Sequence, residues 1–81
     1  MTQLTLYGKP GCHLCEEALA VVRQVRERHP FDLEEVDITR DPALEAVYRE
    51  RIPVIAIDGR EALELVIEAT ELERCLASMA P

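Results

Sequence analysis

Aromatic side chains are scarce in this chain: its 81 residues include two tyrosines, one phenylalanine and no tryptophan. Lysine occurs once and asparagine not at all. Without a basic stripe interleaved with aromatics there is neither a track for phosphates nor a platform for bases, so nucleic acid is not an expected partner. No apolar run approaches the length of a membrane-spanning helix, and no membrane association is expected. The opening residues, MTQLTLYGK, lack the basic and apolar regions of a secretory leader, so a cytoplasmic location is expected. Low-complexity segments, linkers and internal repeats are absent, which suits a single domain over residues 1–81.

What is present is a moderately apolar, strongly acidic chain. Hydrophobic residues make up 48% and charged residues 31%, enough for a packed core, and the net charge is −7. The acid is concentrated late. Residues 1–30 hold four basic and three acidic side chains, whereas the remainder holds five arginines against thirteen acids. A positively charged protein surface is the natural complement of such a domain.

Periodicity divides the chain into seven elements. Thr2 to Tyr7 alternates as a strand, and Gly8, Pro10 and Gly11 make a loop. From Cys12 to His29, Leu14, Ala18, Val21, Val22 and Val25 recur at helical spacing until Pro30. DLEEVDI reads as a second strand with Val36 and Ile38 on one face. Asp41 and Pro42 are the N-cap and first residue of a short helix. PVIAI is apolar throughout, as a central strand covered on both faces requires, and Asp58-Gly59 is a hairpin turn. The stretch after that turn could form one long helix by propensity. Alternation of Leu63, Leu65 and Ile67, and a capping box of Thr70 with Glu73, favour a fourth strand followed by a helix. A βαβ unit, a helix and a hairpin closed by a helix predict an α/β fold. Its four-stranded mixed sheet runs in the order 2-1-3-4, with three helices on its faces.

The chemistry is expected at YGKPGCHLC, where a glycine- and proline-containing loop meets the first helix. Cys12 falls at the helix N-terminus, where free N–H groups and the positive end of the dipole favour a thiolate. Lys9 adds positive charge in the same loop. Cys15, three residues on, is close enough to bond Cys12 and lies toward the apolar side of the helix. An exposed thiolate ahead of a buried thiol suits dithiol exchange. Two other readings stay open at this point. Both cysteines could be small core residues, or Cys12, His13 and Cys15 could be part of a metal or iron–sulfur site. His13 either tunes the nucleophile or is a solvated side chain at the helix start. His29 suits a helix C-terminus, and Cys75 shares a core stripe with Leu72, Leu76 and Met79.

Along nearly its whole length the chain resembles the glutaredoxin-like branch of the thioredoxin superfamily. YGKPGCHLC, RIPVIAIDGRE and ELERCL carry the resemblance. It implies a thioredoxin-like fold and a thiol–disulfide oxidoreductase with Cys12 as nucleophile and Cys15 as resolving thiol. A non-catalytic redoxin-fold module that binds a metal, a cluster or a protein is the alternative. The resemblance also implies a cis bond before Pro53, with Ile52 offering its backbone to an extended substrate. Lys9, His13, Ile52 and Pro53 are thus the expected substrate-binding set, and no resident cofactor or metal is expected.

Protein or low-molecular-weight disulfides are the expected substrates, with a thioredoxin reductase or glutathione as reductant. Glutathione-using members carry a threonine-valine pair before that proline, where this chain has Arg51-Ile52. They also carry a glycine pair before the last helix, which the sequence reading matches to Glu68-Ala69. An aromatic residue is usual where Leu14 stands.

Overall fold

The computed structural model describes residues 2–79. Its elements are β1 (Gln3–Gly8), α1 (His13–Arg26), β2 (Asp32–Asp37), a single 3-10 turn (Ile38–Arg40), α2 (Pro42–Tyr48), β3 (Val54–Ile57), β4 (Arg60–Glu64) and α3 (Ala69–Met79). The sheet runs β2-β1-β3-β4, with β1 parallel to β2 and the other pairs antiparallel. This is the expected thioredoxin-like α/β arrangement.

Every residue of β3 is buried, as its unbroken apolar run requires. Ile55 and Ile57 join Leu4 and Leu6 of β1 beneath Ala18, Val22 and Val25 of α1 and Leu72 of α3. Phe31 plugs the α1–β2 connection at 2% exposure, and the Arg26 Nε donates to its carbonyl oxygen at 2.8 Å. A second cluster joins Cys15, Ile38 and Ile52, with Tyr7, Cys12, Leu44 and Tyr48 packed around it. The cysteine pair is built on that cluster.

Local chemistry sets most of the boundaries. Asp41 caps α2 by accepting the Ala43 N–H at 2.9 Å, with Pro42 in the first turn. Asp58 and Gly59 both take positive φ, 51° and 85°, in the hairpin turn. The Asp58 carboxylate also accepts the Gln3 N–H at 2.9 Å.

The structure corrects four boundaries. First, α1 ends at Arg26 rather than His29, because the Arg28 and His29 N–H groups turn back to the Val25 carbonyl. Second, β2 stops at Asp37, whose carboxylate accepts the Thr39 N–H at 2.9 Å and its hydroxyl at 2.6 Å. That turn takes Ile38 out of the strand and buries it beside Cys15.

Third, β4 is Arg60–Glu64 rather than the Leu63–Leu65–Ile67 alternation. Ile55 opposes Leu63 while Ala56 opposes Glu61, so Ala62 is an extra residue and the register shifts. Leu65 then takes a φ of +67° and ends the strand. Fourth, α3 starts at Ala69, and the Glu68 carbonyl accepts the Leu72 N–H at 3.0 Å. Thr70 therefore lies inside the helix and the expected capping box is displaced. Glu73 instead reaches Arg28 at 3.1 Å and His29 at 3.3 Å, tying α3 to the end of α1.

Candidate active site

The loop between β1 and α1 places the two cysteines. Gly11 has a φ of +79°, a conformation that favours glycine, and the Cys12 N–H turns back to the Lys9 carbonyl. Cys12 is the N-cap of α1. Its backbone is extended, and its Sγ accepts the Cys15 N–H at 3.2 Å. A sulfur thus occupies the place where a serine or aspartate oxygen would ordinarily cap the helix. Cys15 lies on the first turn, is 8% exposed, and forms a disulfide with Cys12 across a Cα–Cα distance of 5.2 Å.

Gly8 is a site residue that the sequence reading passed over. It ends β1 directly against Cys15, where a side chain would meet the sulfur. A glycine ahead of a Cys-X-X-Cys loop was the available signal, but loop flexibility accounted for it equally well.

The other expected site residues are distributed as follows. Lys9 is exposed and lines a cleft of about 260 Å³ with Gly8, Pro10, Cys15, Val36 and Asp37. The bonds from Thr39, side chain first and backbone second, hold the Asp37 carboxyl below the usual carboxylate range. The His13 side chain is 86% exposed, and its Nε2 meets Glu17 at 2.9 Å rather than either sulfur. His29 lies at the far end of α1. Cys75 is partly buried against the main core as a free thiol. Among the described residues, no three His, Cys, Asp or Glu side chains converge as a metal-ligand set.

The Ile52–Pro53 bond is cis, as the resemblance implied. Pro53 is fully buried, and Ile52 packs with Cys15. One expectation fails here: the Ile52 N–H is not free for a substrate. It donates to the Tyr48 carbonyl at 3.0 Å, and the Arg51 N–H donates to the same oxygen at 2.8 Å. The end of α2 has captured both donors.

Arg51 anchors a charged network that the sequence did not suggest. Its guanidinium bonds Glu61 and, at 2.8 Å, Glu64, both on β4. It also lies over the Tyr48 ring, 5.3 Å from the centroid. Tyr48 donates its hydroxyl to Glu61 at 3.0 Å and stacks on Tyr7, with ring centroids 4.6 Å apart. The bonds from Arg51 first, then Tyr48, hold the Glu61 carboxyl below its ordinary range. Those from Glu64 and then Glu61 fix Arg51 in its charged form. Burial first, and the bond to Glu61 second, push the Tyr48 phenol up.

The glycine-pair assignment also needs correcting. Ala69 is inside α3, and the residue with left-handed backbone beside the site is Leu65, whose N–H donates to the Pro53 carbonyl at 2.8 Å. Glu64-Leu65, not Glu68-Ala69, borders Pro53.

Known proteins share this fold. An X-ray structure of an X. campestris protein, a structural genomics target, is 38% identical. It superposes with a TM-score of 0.82 over 96% of this chain and 99% of that one. A mutant thioredoxin from Halobacterium salinarum, 22% identical, shares the fold with a TM-score of 0.72 over 99% of this chain and 78% of its own. An uncharacterized protein of Mycobacterium tuberculosis is 30% identical over 64 residues. The match covers 73% of this chain but 66% of that relative, just under two thirds of its length. A family model described as a glutaredoxin-like domain (DUF836) matches residues 3–77. With its thioredoxin-like fold and paired cysteines, the chain belongs to that glutaredoxin-like family.

Proposed function

We propose that this domain is a thiol–disulfide oxidoreductase acting on protein disulfides in a reducing, cytoplasmic compartment. The observation that carries the reading is the asymmetry of the cysteine pair. Cys12 Sγ caps α1 and accepts a backbone N–H, whereas Cys15 is buried behind it. An N–H donor and the helix dipole stabilise a thiolate on Cys12 in the reduced protein.

In the forward direction the Cys12 thiolate attacks one sulfur of a substrate disulfide. A mixed disulfide forms and one substrate thiolate leaves. Cys15 then gives up its proton, attacks Cys12 Sγ and expels the second substrate thiolate. The substrate gains two electrons and the Cys12–Cys15 pair becomes a disulfide. Return to the dithiol takes two electrons from a thiol reductant, for which a reductase or another protein dithiol suits this acidic site better than glutathione.

The test is reduction of a small disulfide, such as hydroxyethyl disulfide, by the reduced domain under a coupled thiol reductant. Turnover is expected, with none after Cys12→Ser and an accumulated mixed disulfide after Cys15→Ser. Absence of turnover, together with a tightly held metal in the purified protein, would favour a binding module.

A further inference from the structure

We propose that Arg51 is a positioning residue: through its neighbour Ile52 it keeps the resolving thiol, Cys15, covered until Cys12 has reacted. The proposal rests on the exchange reading above and names the device that sets the order of its two steps.

Arg51 is held by both its backbone and its side chain. Its N–H donates to the Tyr48 carbonyl at 2.8 Å, beside the Ile52 N–H at 3.0 Å, which ties the two residues to the end of α2. Its side chain crosses to β4, where the guanidinium bonds Glu61 and, at 2.8 Å, Glu64. The guanidinium also lies over the Tyr48 ring, 5.3 Å from the centroid, and the Tyr48 hydroxyl donates to the same Glu61. An exposed ion pair alone contributes little to stability. A planar fork that engages two carboxylates above an aromatic face nonetheless fixes a geometry.

Ile52 carries that geometry to the sulfur. At 7% exposure it is buried in one cluster with Ile38 and Cys15, the latter 8% exposed. Cys15 is thus closed in by Gly8, Ile38 and Ile52. Two of these have local supports of their own. Gly8 is held in the β1–β2 ladder, and Ile38 by the turn that Asp37 makes. Ile52 lies between α2 and β3, outside any helix or strand, so its place depends on what anchors the residues around it.

A covered thiol reacts slowly with reagents from solution, whereas a thiolate at a helix N-cap reacts fast. Cys12 therefore meets a substrate disulfide first, and Cys15 is left to meet the sulfur it is placed to bond. Loosening Ile52 opens a second route to Cys15 and blurs the order.

The test is a short iodoacetamide pulse on the reduced protein at neutral pH, with all three cysteines read by peptide mapping. Arg51→Met keeps an apolar stem over Tyr48 and removes both bonds to β4. Glu61→Gln combined with Glu64→Gln weakens the same clamp from β4, which keeps the test open should the Arg51 variant fold poorly. In either protein Cys15 labelling is expected to rise at least about threefold relative to both Cys12 and Cys75, through local opening at Ile52. Cys75, packed against the other cluster, reports general loosening. Arg28→Ala removes an ion pair to Glu73 on α3 and should leave the Cys15-to-Cys12 ratio unchanged. An unchanged ratio in both clamp variants, an equal rise in Arg28→Ala, or Cys15 and Cys75 rising together overturns the positioning role. Alkylation needs no turnover, and hydroxyethyl disulfide turnover by the unaltered protein reports on the exchange reading alone, so the two ideas fail separately.

Discussion

Gly8 and Cys15 lie in contact: a methyl group at position 8 would sit 3.1 Å from Cys15 Sγ and 3.2 Å from its Cβ. Neither neighbour gives way easily. Gly8 is held in β1 opposite Asp37, and Cys15 is fixed by α1 and by its bond to Cys12. Gly8→Ala is therefore expected to destabilise the oxidised domain by about 1–3 kcal/mol, the usual cost of overpacking. The reduced domain, in which Cys15 is released from Cys12, should lose less. Denaturant midpoints of both redox forms measure the difference, and unchanged midpoints would show that the contact relaxes freely.

The cap geometry predicts an order of chemical attack. In the reduced protein Cys12 should react with iodoacetamide at neutral pH well before Cys15 or Cys75. Cys12 receives the N–H stabilisation, whereas Cys15 is buried and Cys75 is packed against the core. Peptide mapping after a short pulse reads the order. Faster labelling of Cys15 would reverse the two roles.

The Arg51 network predicts an acid-sensitive contribution to stability. The Glu61 carboxyl is held below its ordinary range in the folded state. Its contribution is thus present above the ordinary carboxylate pKa and disappears as pH falls through the lower, folded value. Arg51→Ala and Glu61→Gln should each lower stability at neutral pH and flatten its decline on acidification. Stability profiles of the variants that run parallel to the parent across that range would count against the network.

The bend before α3 predicts how glutathione is received. Turnover with glutathione as sole reductant should be slow, because Leu65, hydrogen-bonded to Pro53, presents bulk, and Glu64, paired with Arg51, keeps a side chain where a glycine pair would leave the backbone open. Glu64→Gly with Leu65→Gly should raise it, whereas glycines at Glu68 and Ala69 should not, since Ala69 is already helical. Leu65→Gly alone should leave stability unchanged or raise it by up to about 1 kcal/mol, as relief of the left-handed strain outweighs the entropy of glycine. Brisk glutathione turnover by the unaltered domain would remove the argument for both substitutions.

Much of this architecture was legible because its signals are local. Cys12 at the helix N-cap, Asp41 before Pro42, the buried run of β3 and the Asp58-Gly59 turn each depend on a few adjacent residues. The topology followed from their order. Of the misread segments, α1 and β2 stop early on local turns at Arg28–His29 and at Asp37–Thr39, and the others depend on pairing across the sheet or between helices. Leu63, Leu65 and Ile67 alternate on paper, but the extra residue at Ala62 and the positive φ at Leu65 reset the faces, burying Ile67 and exposing Leu65. The Thr70–Glu73 pattern was overridden when Glu73 found Arg28 and His29, far earlier in the chain. The resemblance implied an Ile52 backbone open to substrate, and the Tyr48 carbonyl at the end of α2 takes its N–H instead.

The strand β2 has a consequence for how these molecules meet. It is an edge of the sheet, and four of its six residues are acidic: Asp32, Glu34, Glu35 and Asp37. A second copy approaching along this edge sets carboxylates against carboxylates, so the row of unpaired backbone groups is a poor template for its own kind. Crowded together in a cell, copies of the domain repel one another along that side.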